Sequence, residues 1–224
     1  DQVTNPLEAI RGRVPGLTIQ RGTNGPAALD AVRLRGTTSL TSGNDPLIIV
    51  DGVFGDLSML TSIYPTDIES FTILKDASET AQYGSRGASG VIEVTPKKGM
   101  QGRTQVAYNG SFGISTVYKN LKMLSGDEFR SVASERGISI LDKGNNTNFQ
   151  KEIQQTGLQQ NHHVAFYGGS STSSYRVSLG FMDRQGVILN EDMKNFTSNM
   201  NMNQKMFDGF FDCELGMFGS ILKN

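Results

Sequence analysis

The sequence predicts an α+β domain followed by antiparallel β-strands of an incomplete outer-membrane-type barrel. Three observations carry that reading. Up to about residue 100, short β-branched runs alternate with one- or two-turn helical stretches, separated by glycine and proline turns. From Arg103 the pattern changes to long segments in which apolar and polar residues alternate. The composition agrees: 26 glycines and no Trp in 224 residues, with abundant Ser, Thr, Asn and Gln, disfavour a helical bundle.

The elements of the first part follow in order. Asn5 is placed to cap a short helix, with Pro6 at its first position and Glu8 three residues after the cap; Gly12 and Pro15 stop it. "GLTIQRG" reads as a strand and "AVRLRG" (31–36) as another, with Val32 and Leu34 opposite Arg33 and Arg35. Leu47 to Val50 is a continuous apolar run ended by the turn dipeptide Asp51-Gly52. A polar turn around Tyr64-Pro65 leads into a strand over Ser70 to Leu74. Asp76 or Ser78 then caps one or two helical turns that Gly84 ends, and "GVIEVTPKKG" is a strand closed by Pro96.

The stretch "ILKDASETAQYGSRGASGVIEV" raises the question of phosphate binding. A Walker loop places its glycines after a strand and ahead of a helix, with a Lys following. Here Gly84, Gly87 and Gly90 follow the helical turn and precede a strand, and Lys75 lies before the helix. The order is reversed, so the glycines serve the backbone. Arg86 sits among them. It is either a solvated turn residue or, through its rigid fork of donors, an anchor for a carboxylate elsewhere.

The second half contains five alternating segments. In "TQVAYNGSFGI", Val106, Tyr108, Phe112 and Ile114 share one parity. In "NHHVAFYGG", Val164 and Phe166 oppose His163 and Ala165, with Tyr167 blurring the contrast. Tyr175, Val177, Leu179 and Phe181 oppose Ser174, Arg176 and Ser178. Phe196, Met200, Met202 and Met206 oppose Thr197, Asn199, Asn201, Asn203 and Lys205. Phe211, Cys213, Leu215, Met217 and Ile221 oppose Asp212 and Glu214, with Phe210 and Phe218 breaking the pattern. The segments run roughly 9–11 residues, the length a tilted strand needs to cross a bilayer; soluble strands are usually about 5–6. Apolar residues toward lipid and polar ones toward the interior are the signature of an outer-membrane barrel. A surface-exposed β-sandwich binding or adhesion module also alternates, and is the second reading. Between the first two segments lies a helical insertion near 125–157. Ser125 with Glu128 forms a capping box there, Arg136 and Gly137 close that helix, and "TNFQKEIQQTG" gives a second short one.

Several function classes are excluded. A formal net charge of −1 gives no pull toward nucleic acid or an anionic surface. The lone Cys213 forms no internal disulfide, and no Cys/His spacing suits zinc. His162 and His163 are neighbours on a strand and point to opposite faces, so no metal site is expected. No catalytic motif and no cofactor motif is present, and the chain reads as no enzyme. There is no membrane-spanning apolar run and no signal peptide; the opening at Asp1 without Met suggests a trimmed piece.

"NPLEAIRGRVPGLTIQ", "DPLIIVDGV" and "IYPTDIESFTILKDASETAQYGSRGASGVIEVTPKKG" resemble the plug domain of TonB-dependent outer-membrane receptors, in the SusC/RagA branch of the Bacteroidetes. "NHHVAFYGGSSTSSYRVSLGFMDRQGVILN" and "NFTSNMNMNQKMFD" resemble the first barrel strands of the same family. The resemblance implies a plug over 1–100 and the N-terminal part of the barrel over 101–224. It further implies a SusD-like lipoprotein lid, an oligosaccharide or peptide cargo, and TonB pulling on the plug. Arg86 is then a candidate tie from plug to barrel wall, with Glu214 as a possible carboxylate partner. Single-chain bacterial barrels have even strand numbers from about 8 upward, so five strands close none. The chain is expected to be a fragment whose strands self-associate through their open edges.

Overall fold

The computed structural model describes residues 6–12, 14, 16–20, 31–34, 44–139 and 141–223. The cap at Asn5, the stop at Pro15 and the strand end at Arg35–Gly36 lie outside the described residues.

The first part is a small α+β domain. Helix α1 (Pro6–Ile10) is followed by β1 (Thr18–Gln20) and β2 (Ala31–Arg33), which pair with each other. A four-stranded sheet contains β3 (Leu47–Val50), β4 (Val53–Gly55), β5 (Ile68–Leu74) and β6 (Val91–Pro96), in the order β4-β3-β6-β5. Asp51 (φ 49) and Gly52 (φ 83) turn β3 into β4 with two left-handed residues, the geometry that matches strand twist in a tight hairpin. Helix α2 (Leu57–Thr61) is capped by Asp56, whose carboxylate accepts from Met59 N at 3.2 Å. The periodicity predicted neither β4 nor α2; both are too short to show a repeat. Helix α3 (Ala77–Thr80) continues into 3-10 turns over Ala81–Gly87. Gly84 (φ 58) and Gly90 (φ 93) supply the left-handed backbone that brings the chain back to β6.

One apolar core unites these pieces. Leu7, Val32, Ile48, Leu60 and Ile92 are each fully buried and belong to one cluster with Ile19, Leu34, Val50 and Val94. Val32 and Leu34 therefore face inward, as their alternation requires.

The second part is a single-layered sheet of five long strands: β7 (Gly102–Ser115), β8 (Gly157–Gly169), β9 (Ser173–Gln185), β10 (Asp192–Met206) and β11 (Phe211–Lys223). Their order is β11-β10-β9-β8-β7 and every pairing is antiparallel. At 13 to 15 residues they are longer than the alternation alone indicated. Among the described residues, β7 and β11 each pair on one side only, so the sheet is not closed into a barrel.

The register sorts side chains into rows. One row on the outer face reads Val106, Phe166, Val177, Met200, Met217. A row on the inner face reads Asn109, His163, Gly180, Thr197, Ser220. The inner face packs on the α+β domain, while the outer face is bare, with Val106 62% and Met217 61% exposed. A sandwich would cover both faces, and this sheet covers one. Two residues that blurred the pattern are inward-facing: Tyr167 lies under Arg176, and Phe218 lines a cleft with Val50 and Ile63 of the small domain.

Residues 116–156 join β7 to β8 and carry α4 (Gly126–Glu135) and α5 (Phe149–Glu152). Ser125 and Glu128 make the predicted capping box, with Ser125 N donating to Glu128 Oε2 at 2.8 Å and Glu128 N to Ser125 Oγ at 3.2 Å. No described helix is long and apolar enough to cross a membrane, which says nothing about strands.

Candidate functional site

The most heavily built polar site is the seam between the small domain and the wall. Pro65 opens a single 3-10 turn (Pro65–Asp67) just ahead of β5, and its fixed φ suits that first position. The turn projects Asp67 onto the inner face of β8 and β9, where its side chain is 3% exposed. Arg176 Nη2 donates to Asp67 Oδ1 at 2.8 Å, and His163 Nε2 lies 3.1 Å from the same oxygen. Ser178 Oγ donates to Oδ2 at 2.6 Å. The backbone is held as well: Lys97 N donates to Asp67 O at 2.7 Å.

Each wall residue is aimed by strand parity. His163 on β8 and Arg176 and Ser178 on β9 are all on inward positions, so three donors converge on one carboxylate. A carboxylate only accepts, so His163 Nε2 carries the proton facing it; Nδ1 then accepts from Thr66 Oγ1 at 3.3 Å in the neutral ring. Tyr64 stacks on the His163 ring at 4.5 Å and 17°. Its ring sits over Gly180, where a Cβ would come within 2.8 Å of Tyr64 Cδ2 and 2.4 Å of Thr197 Oγ1. Glycine is needed there for the close approach of the two parts. Arg176 also lies over the Tyr167 ring at 5.5 Å.

The electrostatics follow from this geometry. Burial raises the Asp67 pKa, but the hydrogen bonds from His163, Ser178 and Arg176 outweigh it and hold the carboxyl below its ordinary value. The ion pair with Arg176 is thus intact at neutral pH. A buried pair of this kind is weak evidence for net stability, yet removal of one partner leaves an uncompensated charge. The site therefore fixes position: it specifies how the small domain sits against the wall.

A second, wetter tie lies at the other edge. Lys98, in the linker 97–101, meets Glu214 of β11 and lies 3.4 Å from Asp51. Its pKa is raised, chiefly by the Glu214 hydrogen bond and against a lowering by burial.

Arg86 and Glu214, the residues singled out from the sequence, are not brought together. Arg86 is exposed and lines a cleft with Asp45, Leu47, Asp56 and Ser58, at the start of β3. Glu214 and Lys98 lie near Asp51, at the far end of the same strand. Opposite ends of β3 separate them. His162 and His163 point to opposite faces: His162 meets Tyr108 Oη at 2.7 Å through Nδ1 on the outer side. Among the described residues there is no group of three His, Cys, Asp or Glu that could hold a metal. Sequence reasoning missed Asp67, His163, Arg176 and Ser178. A signal existed in the polar parity of β8 and β9, but their partner lies 96 to 111 residues away in the chain.

Comparison with known proteins matches residues 1–91 to the TonB-dependent Receptor Plug Domain family. The chain is 38% identical over 216 residues to TonB-dependent receptor SusC of Bacteroides thetaiotaomicron, covering 92% of this chain and 22% of that protein. It is 39% identical over 196 residues to TonB-dependent receptor P3 of Formosa agariphila, covering 87% of this chain and 19% of that protein. Among solved structures, the RagAB peptide importer in its "open-open" state superposes with a TM-score of 0.86 at 26% identity, covering 99% of this chain and 29% of the solved one. The chain thus spans about a fifth of the length of the curated relatives it matches.

Proposed function

Because this chain belongs to the SusC/RagA-type TonB-dependent receptors of the outer membrane, as their plug domain continued into strands of the barrel, we propose that it forms the gate and part of the wall of a nutrient importer. Residues 1–100 are the plug and 101–224 the wall, with the boundary in the linker that carries Lys98. The cargo is an oligosaccharide or a peptide; the likeness to a peptide importer supports the latter. A SusD-like lipoprotein covers the loop-bearing end, and TonB acts on the plug from the opposite side. The unpaired edges of β7 and β11 are completed by further wall strands, and the chain alone self-associates through them.

The observation that carries this reading is the seam. A compact domain is ion-paired to the polar face of a sheet whose other face is bare and apolar. That is the arrangement a plug inside a lipid-embedded wall requires. Arg86 serves as a further tie, to a wall carboxylate beyond β11, and Arg86→Ala loosens plug retention.

The test is uptake. Cells carrying the full-length receptor, its lipoprotein and energised TonB are given labelled oligosaccharides or labelled peptides. Accumulation that stops when TonB is removed is expected. Accumulation independent of TonB, or none with either cargo class, contradicts the proposal. An unchanged small-solute leak in Arg86→Ala contradicts the role given to that residue.

A further inference from the structure

One buried asparagine stands between the two ties that hold the small domain to the wall. Gln105, Tyr167, Arg176, Asn201 and Gly216 form a single inward row across β7 to β11. Arg176 and Asn201 are directly opposite each other in that row, 8% and 4% exposed. Among the described residues, each keeps one buried polar atom without a protein partner: Nε of Arg176 and Oδ1 of Asn201. Buried polar atoms in folded proteins are nearly always bonded, to protein or to ordered water.

The two orphans are chemically complementary. An arginine Nε–H only donates, and an amide oxygen accepts. The asparagine oxygen is identified from its other side. The Asn201 amide reaches the Glu214 carboxylate, which only accepts, so Nδ2 faces Glu214 and Oδ1 is left over. Arg176 is bonded through Nη2 to Asp67, and Glu214 is paired with Lys98. Directly opposite residues of antiparallel strands have Cβ atoms about 4.5–5.5 Å apart, a span that one water between two side chains bridges. Space adjoins the pair on both sides: Asn201 lines a cleft of about 290 Å³ with Asp51 and Glu214, and Arg176 one of about 540 Å³ with Lys97 and Lys98. A water takes about 30 Å³ and needs two to four polar partners.

Given the plug-and-wall reading on which this rests, we infer that Asn201 is a positioning residue for gating. With one buried water between its Oδ1 and Arg176 Nε, it joins the Asp67 seam to the Lys98–Glu214 tie. The polar chain runs Lys98, Glu214, Asn201, water, Arg176, Asp67. Its ends also meet through the backbone, where Lys97 N donates to Asp67 O at 2.7 Å. When Asp67 lets go of Arg176, the remaining route from the guanidinium to a carboxylate leads through Asn201 to Glu214. Each tie therefore backs up the other, and release of the plug takes both together.

Plug docking is read by hydrogen exchange at β5 and β6 in the full-length receptor reconstituted in vesicles. Asp67→Asn and Glu214→Gln are made singly and together, with Asn201 present and with Asn201→Ala. Independent sites multiply to within about twofold, and members of one network depart further. With Asn201 present, the double variant is expected to weaken docking more than about twofold beyond the product of the single effects. With Asn201→Ala, that excess is expected to vanish. Effects that multiply to within about twofold despite Asn201, or an excess that survives Asn201→Ala, overturn the coupling. A high-resolution structure of the full-length receptor gives a readout that needs no variant. Density for a water within about 3.2 Å of both Arg176 Nε and Asn201 Oδ1 is expected. No water there, or another side chain bonded to either atom, overturns the bridge. Unprotected β5 and β6 amides in the parent receptor would instead contradict the plug-and-wall reading itself.

Discussion

Substituting Asp67 by Ala in the full-length receptor strikes the seam at its centre. The side chain is 3% exposed and receives bonds from Arg176 at 2.8 Å and Ser178 at 2.6 Å, with His163 at 3.1 Å. Its loss strands the Arg176 guanidinium, which is 10% exposed, without a carboxylate. Removing one partner of a buried pair costs about 3–5 kcal/mol. At about 1.4 kcal/mol per tenfold, the docked plug becomes roughly a hundred to several thousand times less favoured. Hydrogen exchange reads this directly: amides of β5 and β6 lose protection while the wall strands keep theirs. A solute leak across receptor-bearing vesicles rises in parallel. The double variant D67A/R176A removes both charges and is expected to recover much of the loss, since the pair contributes little net stability. Unchanged exchange at β5 and β6 in Asp67→Ala, or strictly additive losses in the double variant, would refute the reasoning.

Four further outcomes follow from other parts of the structure. Gly180→Ala forces a Cβ against Tyr64 and Thr197, costing about 1–3 kcal/mol of plug docking by hydrogen exchange; Tyr64→Ala in the same chain relieves it. Because the Asp67 pKa is lowered on folding, its contribution is present above the unfolded value of about 3.9 and is lost as pH falls through the folded value. Plug retention is therefore flat from neutral pH to about pH 5 and weakens only in stronger acid. The Lys98–Glu214 tie is about two-fifths exposed on both partners, so Glu214→Gln costs about 0–1 kcal/mol in the same exchange assay, far less than Asp67→Ala. Ser125→Ala removes the α4 cap at a cost of about 1 kcal/mol, visible as faster exchange within 116–156 and nowhere else.

Much of this architecture was legible along the chain. The parity of Val177, Leu179 and Phe181 against Arg176 and Ser178 specifies two faces without any knowledge of partners. The reversed order around Gly84 and Gly90 likewise argued for backbone service, and the positive φ values agree. The seam was not legible in the same way. Asp67 reads locally as a turn residue after Tyr64-Pro65, and nothing near it in sequence shows that it will be buried. Its importance comes from register, which places His163 of β8 beside Ser178 and Arg176 of β9 around one carboxylate. Arg86 drew attention because a charged residue among glycines stands out in a sequence. The structure places it beside the start of β3 and Glu214 near the far end of that strand, an arrangement of distant chain segments that no local pattern encodes. Tyr167 and Phe218 looked like breaks in alternation because an inward aromatic facing a plug scores the same as an outward one facing lipid.

The claim on which the rest depends is that one face of β7–β11 meets lipid and the other meets the plug. Single cysteines at Val177, Ser178, Met200 and Asn201, in a full-length receptor with Cys213 changed to Ser, carry a fluorophore in reconstituted vesicles. A quencher confined to the acyl chains is then added. Strong quenching at 177 and 200, with little at 178 and 201, is the predicted result. Equal quenching at all four, or quenching of the inward pair alone, would contradict it.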